Sequence, residues 1–168
     1  MEGARKVVGG LTLVEVLGVA IRSEMDAQAF YKKLAGRVRN RLVKQKFLAL
    51  ARDEAGHEAM LTEKYREITG ERKKPPLPKA VQGKPRYDSK MRHAEALRLA
   101  IRLERAASNL YSKAAKKTED ISSRFMLEYL SGFERNHERL LIHELEALTK
   151  YPAWFESESG AEIMLIGP

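Results

Sequence analysis

The chain repeats itself. Sliding its 168 residues along themselves by 80 aligns Glu15, Leu17, Ala20, Ile21, Arg22, Glu24, Ala27, Tyr31, Lys33 and Ala35 with Glu95, Leu97, Ala100, Ile101, Arg102, Glu104, Ala107, Tyr111, Lys113 and Ala115, ten identities in 21 positions. Without a gap, the same offset aligns Leu50, Glu54, His57, Glu58 and Leu61 with Leu130, Glu134, His137, Glu138 and Leu141. The two copies must fold alike. A period this long, present only twice, specifies a duplicated helical hairpin rather than a solenoid, which needs about three repeats or more.

Within each copy the apolar positions recur at three and four, the period of a helix with one buried face. Leu13, Leu17, Ala20, Ile21, Ala27, Tyr31 and Leu34 form the first stripe, and Thr12 with Glu15 supplies a capping box at its start. A second helix is expected from about Leu42 to Ile68, burying Phe47, Leu50, Ala51, Leu61, Tyr65 and Ile68, with Gly70 as its stop. The third and fourth helices should run from about Lys90 to Lys117 and from Ile121 to Lys150. Helices of this size are about 42 Å long. The chain therefore divides into a first hairpin (11–70), a Pro- and Lys-rich crossover (71–89), a second hairpin (90–150) and an apolar tail (151–168).

Pro75-Pro76-Leu77-Pro78 in the crossover cannot continue a helix and favours a stiff, extended linker over a recognition segment. In the tail, Tyr151, Pro152, Trp154 and Phe155, and later Ile163 to Ile166, are expected to pack on the bundle or on a second subunit. The expected architecture is all-α, a single four-helix bundle of two hairpins with one long connection.

Composition removes whole classes of chemistry. Cysteine is absent, which excludes disulfides, thiolate zinc, iron–sulfur clusters and a cysteine nucleophile. Any metal must be held by Glu, Asp or His. The net charge of +8 invites a nucleic-acid reading, but the basic residues at Arg37, Arg39, Arg41, Lys44, Lys46 and Arg72-Lys73-Lys74 lack interleaved aromatics on which bases would stack. A solvated basic face is expected, with no nucleic acid. Arg5-Lys6 ahead of the apolar run from Val7 to Ala20 imitates a signal peptide, yet Glu15 interrupts the run and the segment recurs in the second copy. Nothing else approaches a membrane span. The expected location is cytoplasmic.

The informative residues are charged ones on the buried stripes. Glu24 precedes Tyr31 by seven residues, a net rotation of about 20°, so the two share a face. Glu104 and Tyr111 repeat this arrangement. On the partner helices Glu54 and His57, and again Glu134 and His137, are three apart, which directs a carboxylate and an imidazole to neighbouring points. Arg22 and Arg102 lie about 200° away from the adjacent glutamates and aim outward. Four carboxylates converging in a dry interior need compensating charge. Two divalent cations supply it, and an oxygen-rich set with one imidazole per metal suits iron or manganese.

With Glu24-Met25-Asp26-Ala27-Gln28-Ala29-Phe30-Tyr31, Asp53-Glu54-Ala55-Gly56-His57, Glu104 to Tyr111 and Glu134-Arg135-Asn136-His137 in place, the sequence resembles the rubrerythrin-like members of the ferritin superfamily over about residues 11–148. The resemblance implies a ferritin-like bundle with two iron ions, or manganese or a mixed pair, held by Glu24, Glu54, His57, Glu104, Glu134 and His137. Glu24 and Glu104 would be terminal ligands, Glu54 and Glu134 would bridge, and each histidine would cap one metal. Tyr31 and Tyr111 would donate hydrogen bonds that orient carboxylates.

Two departures separate this chain from rubrerythrins proper. Ala107 stands where they carry a further Glu, and the four cysteines of their rubredoxin domain are missing. The six-residue set resembles that of bacterioferritin equally well, but Ala55 replaces its haem-ligating Met and residues 151–168 do not read as its fifth helix.

A ferrous pair delivers two electrons to one hydrogen peroxide or dioxygen without releasing a one-electron radical. The expected activity is thus a di-iron oxidoreductase acting on hydrogen peroxide or dioxygen, fed by a separate donor such as rubredoxin and working as a homodimer. Lys73 and Lys74 are candidates for docking an acidic donor. Ferroxidation with iron storage, and a purely structural metal staple, are the competing readings.

Overall fold

A computed structural model describes residues 6–72, 88 and 90–158. It opens with a hairpin that the sequence reading did not anticipate: β1 (Lys6–Val8) pairs antiparallel with β2 (Leu11–Thr12). Gly9 and Gly10, at φ 54° and 82°, form the turn. Two successive left-handed residues suit the twist of such a hairpin, and glycine adopts them without steric cost. Val7 is buried, so the hairpin caps one end of the bundle.

Four long helices follow, α1 (Leu13–Arg37), α2 (Arg41–Thr69), α3 (His93–Lys117) and α4 (Ile121–Lys150). Their boundaries have local causes. The Thr12 N–H donates to Glu15 Oε2 at 2.8 Å while the Glu15 N–H donates to Thr12 Oγ1 at 3.3 Å, the reciprocal box expected at the start of α1. Asn40 Oδ1 accepts from the N–H groups of Leu42 and Val43, and Asp120 Oδ2 from Ser123, at the starts of α2 and α4. Gly70, at φ 70°, ends α2 and donates its N–H to the Arg66 carbonyl. Relative to expectation, α3 begins three residues later, at His93. The Pro-rich segment 75–78 and Ile163 to Ile166 lie outside the described residues.

The core falls into two apolar layers. One gathers Tyr31, Leu34, Val43, Phe47, Leu50, Leu97, Ala100 and Leu141, and the other Leu17, Ile21, Leu61, Tyr65, Tyr111, Leu127 and Leu130. The first layer takes the C-terminal half of α1 with the N-terminal half of α3, and the N-terminal half of α2 with the C-terminal end of α4. Helices α1 and α3 therefore run antiparallel, as do α2 and α4. Because α2 ends at the second layer and α3 begins at the first, the crossover joins opposite ends of the bundle. This is the up-down pairing with one long connection of a ferritin-like bundle.

After α4 a single turn, α5 (Pro152–Glu156), returns the chain to the bundle. Phe155 is buried against the first layer, 5.8 Å from the His93 ring, while Tyr151 stays exposed. The tail packs as expected through Phe155, although a helical turn there was not foreseen.

Candidate metal centre

Between the two apolar layers the bundle is polar. Helix α1 brings Glu24 and the Tyr31 hydroxyl into this middle layer, α2 brings Glu54 and His57, α3 brings Glu104 and the Tyr111 hydroxyl, and α4 brings Glu134 and His137. None of the eight is more than 4% exposed. Helical spacing places them there. A residue three or seven positions along shares a face with its predecessor, and these faces are the ones the apolar stripes turn inward. All six candidate ligands predicted from sequence are thus brought together.

Two overlapping groups result, Glu24, Glu54, His57 and Glu134 on one side, and Glu54, Glu104, Glu134 and His137 on the other, with candidate ligand atoms in each group all within 4.8 Å of one another. Glu54 and Glu134 belong to both. Their oxygens divide between the sides. His57 Nδ1 lies 3.1 Å from Glu54 Oε2 and 3.0 Å from Glu134 Oε1, whereas His137 Nδ1 lies 3.1 Å from Glu54 Oε1 and 3.3 Å from Glu134 Oε2. Glu24 and Glu104 stand further out, at 3.9 Å from His57 and 3.7 Å from His137.

The tyrosines work across the bundle. Tyr31 of the first copy donates its hydroxyl to Glu104 of the second, and Tyr111 donates to Glu24. Sequence periodicity places each tyrosine on the same face as its own copy's glutamate, and folding hands it to the other copy's.

The site's electrostatics are those of carboxylates short of countercharge. Burial, reinforced by the neighbouring Glu54 carboxylate, pushes Glu24 well above the ordinary carboxylate range. Glu104 is raised chiefly by burial as well. Burial opposes ionisation of Glu54 and Glu134 too, but it is outweighed at Glu54 by Glu24 and the imidazoles of His137 and His57, and at Glu134 by the same imidazoles and Glu104, so both are held low. Conversely burial works against a charged His57, yet Glu134 and Glu54 raise it to about 9, and His137 is raised by Glu104, Glu134 and Glu54. Tyr31 and Tyr111 are pushed up by burial and by the carboxylates they face. Arginine does not supply the missing charge, because Arg22 pairs with Asp26 at 3.0 Å and Arg102 is exposed.

Protons alone leave the site unsatisfied. Glu54 Oε1, both Glu134 oxygens and both ring nitrogens of His137 are buried without a well-formed hydrogen bond, and all but His137 Nε2 face the shared space. Buried polar atoms ordinarily find partners. Four carboxylates and two imidazoles arranged as two sets with shared oxygens fit a pair of divalent cations such as iron or manganese.

Two further residues escaped the sequence reading. Asp53 Oδ2 lies 3.4 Å from His137 Nε2, on the side away from the shared space. Phe133 meets the His57 ring edge-on, with centroids 5.5 Å apart. They occupy equivalent positions in the two copies, 80 residues apart, so a break in the repeat immediately before each Glu-x-x-His was the available signal.

The profile of the family described as Rubrerythrin matches residues 15–145 of the chain. Among solved structures, a hypothetical protein from Pyrococcus furiosus is 29% identical, with a TM-score of 0.77 over 86% of this chain and 94% of that one. A Thermotoga maritima protein described as a ferritin-like diiron-carboxylate protein is 21% identical, with a TM-score of 0.61 over 79% of this chain and 93% of that one, a likeness of fold. No curated protein matches the chain.

Proposed function

Since the chain belongs to the rubrerythrin family, we propose that it is a non-haem di-iron oxidoreductase that reduces hydrogen peroxide, with electrons from a separate donor protein. The observation that carries this reading is the pair of buried four-residue groups sharing Glu54 and Glu134. Glu24 and His57 would complete one metal position, and Glu104 and His137 the other. Bound there, two ferrous ions supply two electrons together, matching the demand of one peroxide, which takes up two electrons and two protons to give two waters.

The chain's own residues do the rest. The two apolar layers exclude bulk water from the middle layer. The Tyr31 and Tyr111 hydroxyls fix the carboxylates of Glu104 and Glu24. Burial raises the tyrosine hydroxyls and Glu24 and Glu104 above their ordinary ranges, so a cation at the glutamates competes with protons. Electron supply is assigned to a separate donor because these 168 residues contain no cysteine with which to build a rubredoxin site. Lys73 and Lys74, the docking candidates, lie outside the described residues.

The test is an anaerobic ferrous titration of the metal-free protein, ended with one peroxide per pair of irons and followed by near-ultraviolet absorbance. Saturation at two irons per chain and complete oxidation by a single peroxide is the expected result. Saturation at one or none, or two irons that peroxide leaves reduced, overturns the reading. Ala107, where rubrerythrins proper carry a further glutamate, favours one competing use of the same residues, ferroxidation followed by iron storage. Storage requires a closed many-subunit shell whereas peroxide reduction needs only a homodimer, so the mass in solution separates them.

A further inference from the structure

We propose that the two metal positions are unequal, and that the one bounded by Glu104 and His137 takes the first divalent cation because Asp53 orients His137. The proposal rests on the two-metal reading above and adds an order of loading.

Almost everything else about the two positions is matched. Both share Glu54 and Glu134, both have a terminal glutamate held by the other copy's tyrosine, and their nitrogen-to-oxygen distances run from 3.0 to 3.9 Å on one side and from 3.1 to 3.7 Å on the other. The contrast lies behind the imidazoles. Nδ1 of each ring faces the shared carboxylates, so Nε2 points away from them. Behind His137 stands the Asp53 carboxylate, 3.4 Å from Nε2, a buried nitrogen without a hydrogen bond for which a small rotation of Asp53 would supply the partner. Asp53 is half exposed and has room to make that rotation.

At the equivalent position of the other copy stands Phe133, whose ring meets the His57 imidazole edge-on at 5.5 Å and the His137 imidazole at 6.4 Å, and lies 4.7 Å from Tyr129. A carboxylate on the outer nitrogen fixes the tautomer that leaves the inner lone pair free and makes that nitrogen a better donor. An aromatic ring supplies neither effect. Outer partners of this kind change metal affinity by about 10–100-fold, so Asp53, a positioning residue, separates the two affinities by roughly that factor.

The test is a titration of the metal-free full chain with Co2+, followed by its visible ligand-field bands and by equilibrium dialysis. The wild type should bind two Co2+ in two resolved steps. Asp53→Asn should weaken the first step about 10–100-fold and leave the second in place, while Asp53→Glu retains most of the separation. Phe133→Asp should tighten the second step. Repulsion between the cations alone would also give two steps, but Asp53→Asn would then leave them unchanged, which overturns the proposal. Two Co2+ bound in one step, or both steps weakened equally by Asp53→Asn, overturns it as well. Fewer than two Co2+ per wild-type chain overturns the two-metal reading and this proposal with it. An unchanged urea midpoint for metal-free Asp53→Asn shows that a shift in its titration comes from the site.

Discussion

Tyr31 donates its hydroxyl to Glu104, a carboxyl 73 residues further along the chain and on the other copy of the repeat. Tyr111 returns the bond to Glu24. Each half of the duplication thus orients the outer ligand candidate of the other half, and neither hairpin alone contains a complete position.

Removing one such donor has a defined cost. Tyr31→Phe leaves Glu104 Oε1 buried without its hydroxyl, which should destabilise the metal-free protein by about 1–3 kcal/mol. It should also weaken cation binding at the His137 position more than at the His57 position. Tyr111→Phe should show the opposite preference at a similar stability cost. Urea unfolding and a Co2+ titration of each variant check this. Equal weakening of both positions by either variant would contradict the cross-bundle assignment.

The metal-free protein should lose stability as pH rises from about 6.5 to about 9. His57 is raised from 6.5 to about 9 by Glu134 and Glu54 against the effect of burial. A group raised in this way stabilises the fold fully below its unfolded value and stops doing so above its folded one. Glu24 and Glu104, raised by burial, act in the same direction. Glu54 and Glu134 are lowered, so their contribution disappears instead as pH falls below the ordinary carboxylate range. Cations replace the protons, so loading should release protons and raise the melting temperature more at pH 9 than at pH 6. Calorimetry of both forms across this range tests the sign. A metal-free midpoint that rises between pH 6.5 and 9 would contradict it.

Helical period and repeat were enough to place α1 to α4, the face each buries, and the six residues that converge between the layers. Those features depend on spacing along one chain. What spacing does not give is the partner across the bundle. The exchange of Tyr31 and Tyr111 between copies was invisible for this reason, as was the pairing of buried Glu144 with Lys46 and of buried Lys64 with Ser122. Asp53 was overlooked because its own helix carries His57, whereas it serves His137. The opening hairpin was legible in principle, through Gly9-Gly10 between apolar residues, but at three and two residues its strands were too short for alternation to register.

The tail provides a prediction about packing. Phe155 is 1% exposed, and α5 is tied down where Asn40 Nδ2 donates to the Trp154 carbonyl at 2.8 Å. Truncating a buried phenylalanine ordinarily costs about 3–5 kcal/mol. A one-turn element can relax into the space, so Phe155→Ala should fall near the lower figure, about 3 kcal/mol, in urea unfolding of the metal-free protein. A loss below about 1 kcal/mol would mean that the tail is not anchored through this ring.

Glu134→Gln and Glu24→Gln should fail differently. Glu134 offers one oxygen to each histidine's side, while Glu24 belongs to the His57 group alone. Gln keeps the shape and removes the charge, so Glu134→Gln should weaken both positions, and Glu24→Gln only one. The two variants also differ without metal. Glu134 is held ionised by His137 and His57, so its replacement strips a partner from two imidazoles. Glu24 is raised by burial, so neutralising it removes little that the folded protein was using. Metal-free Glu134→Gln should therefore be the less stable of the two, and metal content after dialysis against limiting Fe2+ should fall toward zero for it but toward one per chain for Glu24→Gln. Equal metal content in the two variants would show that Glu134 does not bridge.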